Sequence, residues 1–547
     1  MTHELRPGEL SPVEDLVDVA ALERAYYEER PDPQNPAERV SFGTSGHRGS
    51  SLRRSFNEDH IAAITSAICD WREANGVAGP LFIGMDTHAL SEPARATALE
   101  VLAGRSVRAL AAPAGDFTPT PAVSRAIVTA NRGSAPRADG IVVTPSHNPP
   151  EDGGFKYDPP HGGPAEAEIT AWIERRANAL LSGGGVRTIA RVAVDRARRE
   201  GTLGTYDFLT RYVEELKGAI DVESIAAARP KIGVDPMGGA SVQYWTRIAD
   251  VYGLDLTVVN RQVDKRFAFV PLDHDGRIRT DCSSPCAMAN LVAQRNRFDV
   301  AVANDADADR HGVVTRSAGL LPPNHYLSIA VDYLFRHRSA WPARAAVGRT
   351  AVTSHLIDRV AASLSRPVLE VPVGFKWFVP GLRDGSLGFG GEESAGASFL
   401  ARDGSTWTTD KDGVLLCLLA AEILSASGRD LDESYKALER AHGTSFYARK
   451  DAPATRTMRE RLRRVRPEDW SARELAGDPV RRAQTSAAAG GDLGGLKVTT
   501  DCAWFAVRPS GTEDVYKIYA ESFRSKEHLE RIMLEAVSGV SDLLQGV

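Results

Sequence analysis

Short apolar runs alternate with helix-like stretches along most of this 547-residue chain. Each run ends in a loop rich in glycine or polar residues, and runs of this length are typical of buried strands. Examples are Leu81–Met85, Ile141–Val143, Lys231–Val234, Val300–Ala303 and Leu387–Phe389. Strands that alternate with helices predict α/β domains with mainly parallel strands, whose ligands bind in the loops after the carboxyl ends of the strands.

The two ends of the chain show other patterns. Residues 11–28 are amphipathic and predict a helix, which the prolines at 31, 33 and 36 then end. Nearer the C-terminus the pattern predicts a basic helix over 459–466, a flexible segment over 487–495, strands around 504–507 and 515–519, and a helix from Lys526.

Composition and charge narrow the class of protein. The length corresponds to about 3–4 domains, and 42% apolar with 25% charged residues is typical of a soluble globular protein. A net charge of -6 excludes binding to nucleic acid by bulk attraction to phosphates. No apolar stretch approaches the ~20 residues of a membrane span, and five scattered cysteines do not form a disulfide scaffold. We therefore expect a cytoplasmic protein that binds neither nucleic acid nor a membrane.

The first candidate for chemistry is a serine in a proline-rich turn. Ser146 follows a predicted strand, His147 is its neighbour, and Lys156 lies shortly after it. Prolines restrict such a loop, and a serine beside a histidine and a lysine is one way in which a nucleophile is assembled. An ordinary polar turn is the alternative interpretation.

The second candidate is a run of alternating carboxylates after another predicted strand, formed by Asp305, Asp307 and Asp309. So much negative charge is unfavourable without a cation, and oxygen ligands suit a hard ion such as Mg²⁺. An EF-hand calcium loop is excluded because Arg310 and Arg316 occupy the positions that need glycine and glutamate. A solvated acidic turn remains the other interpretation.

Three further glycine-containing segments can bind a sugar phosphate. Glu392 and Ser394 follow the apolar run at 387–389 and suit sugar hydroxyls, and Arg48 lies in a glycine-rich loop. Near the C-terminus, an arginine, two hydroxyls and a glycine turn can enclose a phosphate: Arg508, Ser510, Gly511 and Thr512. Taken singly, each segment is also compatible with a simple turn.

The order of these motifs along residues 41–523 resembles the α-D-phosphohexomutase superfamily, and within it the long bacterial phosphoglucomutases. The resemblance implies an α/β architecture of four domains around a central cleft, with three related α/β domains and a smaller C-terminal α+β domain. The domains we expect are an N-terminal extension at 1–40, the serine domain at 41–207, the metal-loop domain at 208–320, the sugar-loop domain at 321–440 and the phosphate-loop domain at 441–547.

The resemblance also implies a reaction. A phosphoryl group carried by Ser146 moves to glucose 1-phosphate or glucose 6-phosphate, and glucose 1,6-bisphosphate turns around in the cleft before it returns the other phosphoryl group. The expected cofactors are Mg²⁺ on Ser146, Asp305, Asp307 and Asp309, and glucose 1,6-bisphosphate as activator. The expected partners are small sugar phosphates, and the sequence leaves monomer and dimer open.

The roles that the resemblance implies cover the remaining residues. Arg310 and Arg48 steady phosphoryl oxygens, and Lys411 is a further substrate contact, with Lys376 a lesser candidate. Arg508, Ser510, Gly511 and Thr512 hold the phosphate that does not react, and Glu392 and Ser394 hold sugar hydroxyls. The general acid/base is Lys156 or His147, of which we prefer Lys156.

Other functions stay open at this point. Mutases for mannose, glucosamine or pentose phosphates are the nearest, although Gly396 stands where some relatives of the mannose type carry a histidine. A non-catalytic sugar-phosphate-binding protein would be expected to lose its serine or an aspartate, and both are present. A phosphatase with an aspartate nucleophile would leave Ser146 and the Arg508 segment without a role.

Overall fold

The computed structural model describes residues 6–43, 46–133, 136–511 and 514–545. Within these ranges the chain forms four sheets of four to seven strands and one small two-stranded sheet. Three of the large sheets have a parallel core and the fourth is antiparallel. The α/β architecture with a separate C-terminal α+β unit, predicted from the sequence, is thereby confirmed.

The first unit is a seven-stranded sheet in the order β1-β2-β6-β5-β3-β4-β7. Strands β5, β3, β4 and β7 are parallel, while β1, β2 and β6 run antiparallel along one edge. Its elements, with the helix that precedes them, are α1 Val19–Glu28, β1 Phe42–Gly43, β2 Gly46–Gly49, α2 Glu58–Ala74, β3 Leu81–Met85, α3 Ser91–Gly104, β4 Ala109–Ala111, α4 Thr120–Ala130, β5 Asp139–Val143, β6 Gly153–Asp158, α5 Ala167–Ser182, α6 Val194–Arg199 and β7 Leu203–Thr205.

The second unit is a five-stranded sheet in the order β12-β11-β10-β8-β9, with a parallel core of β10, β8 and β9. Its elements are α7 Phe208–Glu215, α8 Val222–Ala228, β8 Ile232–Asp235, α9 Val242–Tyr252, β9 Leu256–Val258, α10 Ala289–Ala293, β10 Val300–Ala303, β11 Gly312–Thr315 and β12 Gly319–Leu320.

The third unit is a four-stranded sheet in the order β14-β13-β15-β16, with a parallel core of β14, β13 and β15. Its elements are α11 Pro323–His337, β13 Ala346–Thr350, α12 Leu356–Ser363, β14 Val368–Val371, α13 Val379–Asp384, β15 Leu387–Glu392, β16 Gly396–Phe399, α14 Gly413–Ser427 and α15 Leu431–His442. Helix α14 is apolar on nearly every side and buried over its first eleven residues, as expected of a helix enclosed by other elements.

The fourth unit is an antiparallel sheet in the order β17-β23-β22-β21-β20, with a long C-terminal helix against it. Its elements are β17 Phe446–Pro453, α16 Arg456–Leu462, β18 Glu474–Leu475, β19 Asp478–Pro479, β20 Arg482–Ser486, β21 Asp492–Thr499, β22 Ala503–Pro509, β23 Val515–Ser522 and α17 Lys526–Gln545. Short 3-10 helices occur at Val13–Asp15, Pro36–Glu38, Ser51–Arg53, Gly185–Thr188, Leu216–Gly218, Arg295–Arg297, Phe375–Trp377 and Pro467–Asp469.

The first three units share one feature that positions the site. In each, the last strand of the parallel core turns back into an antiparallel neighbour: β5 into β6, β10 into β11, and β15 into β16. The three connecting loops carry the serine, the aspartates and the sugar-binding motif. The same topology therefore delivers three of the candidate motifs, although the three sequences show no repeat of residue identity.

The sheets define four units, but the buried apolar side chains connect three of these units with one another. One continuous cluster of buried side chains joins the first three units, from Phe82 to Leu438, whereas the fourth unit has its own core from Ala454 to Val540. The fourth unit meets the third through a small apolar contact around Trp504 and through buried polar bonds. The fourth unit is therefore the one with the least apolar attachment to the others.

The sequence patterns predicted most of these elements. All five apolar runs coincide with strands, although Lys231 lies just before β8, and the C-terminal strands and the helix from Lys526 are confirmed. The predicted helix over 11–28 is wrong in its first half, because only Val19–Glu28 is α-helical and Asp18 caps its start. The basic helix ends at Leu462, and residues 487–495 form a turn and the start of β21.

Within the described ranges, none of the helices has both the length and the apolar character that crossing a membrane requires. We keep 41–207, 208–320, 321–440 and 441–547 as our proposal for the bounds of the four domains.

Gly413, in the third unit, packs closely against the backbone of the loop that carries the aspartates. A Cβ atom added there would lie 2.0 Å from the carbonyl oxygen of Arg310, whereas a Cβ atom at Gly218 would have nothing within 4 Å. We expect Gly413→Ala to destabilise the protein by about 1–3 kcal/mol, because backbone must shift to make room. The midpoint of thermal unfolding should fall for this variant and not for the Gly218→Ala control. Equal midpoints for both variants would contradict the close packing.

Candidate active site

The three connecting loops meet at one place. The Ser146 hydroxyl donates to Oδ2 of Asp305 at 2.9 Å, which joins the serine loop to the aspartate loop. The aspartate loop contacts the sugar loop through a backbone bridge between Arg310 and Gly396, and the N–H of His311 donates to the carbonyl of Ala395 at 3.1 Å. Side chains that lie far apart in the sequence therefore share one site, as the shared topology of the units requires.

Each of the three loops also contains one non-glycine residue with positive φ. Ser146 has φ 60°, Ala308 has φ 56° and Ala395 has φ 69°. The left-handed conformation costs about 1–2 kcal/mol for such residues, so the surrounding contacts must hold it. Strained residues of this kind are common at functional sites, and three of the ten within the described ranges lie in the three loops that form the candidate site.

Three buried carboxylates form the centre of the site. Asp305, Asp307 and Asp309 are each 0% exposed, and their oxygens lie within 4.8 Å of one another. Oδ1 of Asp307 and Oδ1 of Asp309 have no hydrogen-bond partner within the described ranges. Buried oxygens without partners are costly, and an all-oxygen site suits a hard divalent cation. The residues present therefore fit a metal ion.

Cationic side chains surround the carboxylates. Nζ of Lys156 lies 2.8 Å from Oδ2 of Asp307, and Nζ of Lys411 lies 2.6 Å from Oδ2 of Asp309. Arg310 lies farther away, with Nε 3.9 Å from Oδ1 of Asp309. These cations compensate part of the buried negative charge, and they are well placed to attract an anionic substrate as well.

The electrostatic environment shifts the ionisation of several groups. Burial raises the pKa of Asp305 well above its usual range, and the charges of Asp307 and Asp309 raise it further. Burial alone would lower the pKa of Lys156, but the same two carboxylates raise it above its ordinary value. Burial and then Arg310 hold the pKa of His147 well below its usual range. The site as it stands thus contains a charged lysine and a neutral histidine.

The candidates of the serine loop lie close to the hydroxyl. The Nδ1 atom of His147 is 3.3 Å from Oγ of Ser146. Nη1 of Arg48, on the neighbouring strand β2, donates to Oδ1 of Asn148 at 3.0 Å. The structure therefore brings the serine, the histidine, the arginine and the lysine predicted from the sequence into one site.

The sugar loop is held by the segment at 373–377. Oε1 of Glu392 accepts from the N–H of Gly374 at 3.0 Å, and burial raises the pKa of Glu392 to about 7. Ser394 is half-buried at the turn between β15 and β16, and Lys376 follows Gly374 by two residues. The loop thus presents a carboxyl group and a hydroxyl group in the same connection that touches the aspartate loop.

The phosphate-loop motif lies at the end of β22 in the fourth unit. Arg508 is opposite Lys517 across the ladder, and the N–H of Ser510 donates to the carbonyl of Val515 at 2.8 Å. Ser510 is buried and Gly511 is exposed, while Thr512 lies outside the described residues. The carboxylate of Glu393 in the sugar loop interacts electrostatically with the side chains of Tyr519 and Arg449 in this sheet. The sheet therefore lies close to the sugar loop.

Sequence reasoning missed four residues that support the site. The hydroxyl of Thr120 donates to Oδ2 of Asp307 at 2.6 Å. Asp86, His88 and Thr144 form a buried hydrogen-bonded group beside Ser146. One signal was available, because Asp86 directly follows the predicted strand at 81–85, where the carboxyl end of a parallel strand presents functional side chains.

Comparison with known proteins places the chain in a family. A protein of Komagataeibacter xylinus named phosphoglucomutase is 52% identical over 530 residues, which are 96% of this chain and 95% of that protein. Profiles of one family match four successive segments: Phosphoglucomutase/phosphomannomutase alpha/beta/alpha domain I at 39–182, domain II at 210–319, domain III at 322–441 and the C-terminal domain at 464–538. The chain belongs to the phosphoglucomutase/phosphomannomutase family. The family resemblance inferred from the sequence is therefore confirmed.

Solved structures share the fold of this family member. A Thermus thermophilus protein described as a phosphomannomutase has a TM-score of 0.72 at 25% identity, covering 93% of this chain and 100% of that one. Parafusin from Paramecium, a phosphoglucomutase in an open form, has a TM-score of 0.72 at 18% identity, covering 94% and 96%. The four-domain architecture is thus common to the family, while the roles of individual site residues in this chain stay predictions.

The raised pKa of Glu392 predicts a pH-dependent effect on stability. The pKa rises from an ordinary 4.5 to about 7 in the folded protein, so folding takes up a proton between these values. The favourable contribution is complete below pH 4.5 and is lost as the pH rises through about 7. Glu392→Gln should therefore unfold at a higher temperature than wild type above about pH 7, and the difference should shrink as the pH falls.

The measurement is the midpoint of thermal unfolding as a function of pH. The exposed Glu14, substituted in the same way, is the matched control and should track wild type throughout. A difference between Glu392→Gln and wild type that does not vary with pH would contradict the expected ionisation of Glu392.

Proposed function

We propose that this chain catalyses the phosphoglucomutase reaction, the interconversion of α-D-glucose 1-phosphate and glucose 6-phosphate. The observation that carries the proposal is the hydrogen bond of 2.9 Å from the Ser146 hydroxyl to Asp305, in the buried cluster of three aspartates. A hydroxyl next to a cation-binding cluster is suited to carry a phosphoryl group. The identity of 52% with the Komagataeibacter xylinus protein supports glucose phosphates as the substrates.

In the proposed mechanism, Ser146 carries the phosphoryl group between turnovers. It transfers this group to the free C1 or C6 hydroxyl of the bound monophosphate, forming glucose 1,6-bisphosphate and leaving Ser146 as a free hydroxyl. The bisphosphate turns around in the cleft, and its other phosphoryl group returns to Ser146. The phosphate count is conserved in each half, so the enzyme ends the cycle phosphorylated.

Asp305, Asp307, Asp309 and the phosphate on Ser146 are the proposed holders of Mg²⁺. When bound, Mg²⁺ would neutralise part of the negative charge that develops on the transferred phosphoryl group. Arg310 and Arg48 steady the phosphoryl oxygens in this proposal, which is supported by the electrostatic effect of both guanidinium groups on His147, the neighbour of Ser146. The orphaned oxygens of Asp307 and Asp309 support this assignment.

The proposed substrate contacts come from two other loops. Glu392, Ser394 and Lys411 bind the sugar in both orientations, and the phosphate that does not react sits on the fourth unit: Arg508, Ser510, Gly511 and Thr512. The weaker apolar attachment of the fourth unit supports a role in loosening the cleft when the bisphosphate turns.

A general acid/base must exchange a proton with the attacking or leaving hydroxyl. Lys156 is our proposal for this role, because it lies on β6, the strand that follows the serine loop, with its Nζ 2.8 Å from Oδ2 of Asp307. The His147 ring, 3.3 Å from the Ser146 hydroxyl, stays the alternative.

All five cysteines are unpaired, which is typical of proteins in a reducing compartment and supports a cytoplasmic location.

The proposal can be tested through the phosphorylation state of Ser146. Enzyme stripped of its phosphate, as verified by intact mass, should show little activity with glucose 1-phosphate alone, because it has no phosphoryl group to donate. A small amount of glucose 1,6-bisphosphate should restore activity. Ser146→Ala should stay inactive with or without the bisphosphate, whereas Ser427→Ala, at an exposed site at the end of α14, should behave as wild type.

A coupled assay for glucose 6-phosphate provides the readout, with mannose 1-phosphate and glucosamine 1-phosphate as competing substrates in their own assays. Full activity of the dephosphorylated enzyme without bisphosphate would contradict the phosphoserine mechanism. Faster turnover of mannose 1-phosphate or glucosamine 1-phosphate than of glucose 1-phosphate would overturn the assignment of the substrate.

Asp307→Asn tests the assignment of the metal. The variant removes one of the proposed oxygen ligands and should weaken Mg²⁺ binding by at least about tenfold, since even the loss of outer partners of metal ligands costs about 10–100-fold. Calorimetric titration of the full chain with Mg²⁺ measures this, and Asp195→Asn at an exposed site is the control. An affinity for Mg²⁺ equal to that of wild type would place the metal elsewhere.

A further inference from the structure

Asp86 lies beside the loop that carries Ser146. It directly follows β3, which is the parallel neighbour of β5, with Met85 opposite Val143. The backbone N–H of Asp86 donates to the carbonyl of Val143 at 3.1 Å, and the side chain is fully buried. Because the two strands end at the same edge of the sheet, the Asp86 carboxylate meets the first residues of the serine loop.

The carboxylate of Asp86 has four donors around it. Oδ1 accepts from the N–H of His88 at 3.0 Å and from the Ser91 hydroxyl at 2.5 Å. Oδ2 accepts from the Thr144 hydroxyl at 2.7 Å and lies 2.7 Å from Nδ1 of His88. Burial alone would raise the pKa of Asp86, but His88 and the hydroxyl donors hold it below its ordinary value. The group is therefore a fully bonded, ionised carboxylate.

The Thr144 hydroxyl connects this carboxylate to the residue that carries the proposed nucleophile. Its oxygen accepts from the backbone N–H of Ser146 at 2.8 Å. The single hydroxyl hydrogen is directed at Asp86, so the lone pairs are free to accept from Ser146. The bond therefore holds the backbone of Ser146 at the residue that has the strained φ of 60°.

His88 holds the other side of the same loop. Its ring is buried, with Nδ1 facing Oδ2 of Asp86 and Nε2 at 2.9 Å from the carbonyl oxygen of Asn148. Both neighbours are acceptors, so both ring nitrogens must carry a proton, and the ring is an imidazolium. Burial alone would lower the pKa of His88, but Asp86 raises it above its ordinary value, and Asp152 adds to the effect.

We propose that Asp86 and the imidazolium of His88 are positioning residues that hold the serine loop on both sides of Ser146, at Thr144 and at Asn148. The proposal rests on the proposed function of Ser146. Neither residue touches the reacting atoms. Through Asn148, the effect of His88 extends to Arg48, because the side-chain oxygen of Asn148 accepts a hydrogen bond from the guanidinium group of Arg48.

The first test removes the Thr144 hydroxyl while keeping the volume of the side chain. Thr144→Val should lower kcat by about 10–100-fold, the range typical of losing a partner that orients a metal ligand, with KM for glucose 1-phosphate nearly unchanged. Thr144→Ser keeps the hydroxyl and should recover most of kcat. The control is Thr65→Val, because Thr65 has a buried hydroxyl without a hydrogen-bond partner in the described part of the chain.

Three outcomes of this test would overturn the proposal. One is a kcat for Thr144→Val equal to that of wild type. Another is a kcat for Thr144→Ser as low as that for Thr144→Val, which would show that the hydroxyl is not the group that matters. The third is a rise in KM without a fall in kcat, which would place the role of Thr144 in substrate binding rather than in positioning.

The second test is independent of activity. Nuclear magnetic resonance of the full chain, labelled with ¹⁵N in the histidine rings, reports the protonation of each ring nitrogen, and His88→Gln identifies the signals of His88. Protons on both nitrogens support the imidazolium, and a neutral ring would overturn it. An inactive wild-type enzyme with all sugar phosphates would refute the proposed function, while this spectrum would still decide the state of His88.

Discussion

The structure depends on the burial of three carboxylates in one place. Asp305, Asp307 and Asp309 are fully shielded from solvent, and such crowding of negative charge is unfavourable unless cations offset it. Lys156 from the first unit and Lys411 from the third supply two of these cations. The charge balance of a loop in the second unit is thus completed by its neighbours, which ties the three units together at the site.

The division of the hydrophobic core complements this electrostatic junction. One continuous apolar cluster fixes the first three units, while the fourth unit keeps a separate core. Polar bonds form much of the junction with the fourth unit: Lys497 donates to Glu370 at 2.8 Å and to the carbonyl of Ala351 at 2.7 Å. Polar interfaces of this kind permit relative motion more readily than apolar ones. The residues proposed for catalysis therefore lie in the three units that share an apolar cluster, and the proposed phosphate loop lies in the unit with a separate core.

In each of the first three units, a loop joins a strand of the parallel core to its antiparallel neighbour, and these three loops position the residues of the candidate site. Each of the three loops contains a residue in the left-handed conformation, at Ser146, Ala308 and Ala395. Backbone in that region is retained only where the surroundings over-determine it. Around Ser146 the surroundings include the buried bonds of the serine loop with Asp86 and His88 of the same unit, and the bond from the Ser146 hydroxyl to Asp305 of the second unit.

Local sequence patterns identified the segments that are proposed to carry the chemistry. Apolar runs and the polar loops after them are local features, so the strand before Ser146 and the strand before Asp305 could be read directly, and the order of motifs indicated the family. Local signals were weaker at the start of α1, where residues 11–28 look uniformly amphipathic but Asp18 caps a shorter helix.

The fold was needed to show which of these segments meet and which side chains support them. Ser146 and Asp305 are 159 positions apart, Thr120 and Asp307 are 187 apart, and His88 and Asn148 are 60 apart. Backbone preferences and apolar periodicity act over a few residues, so they carry no information on such pairings. The partners of a buried hydrogen bond are fixed by how the sheets align their strand ends, and the support for the serine loop could be identified only there.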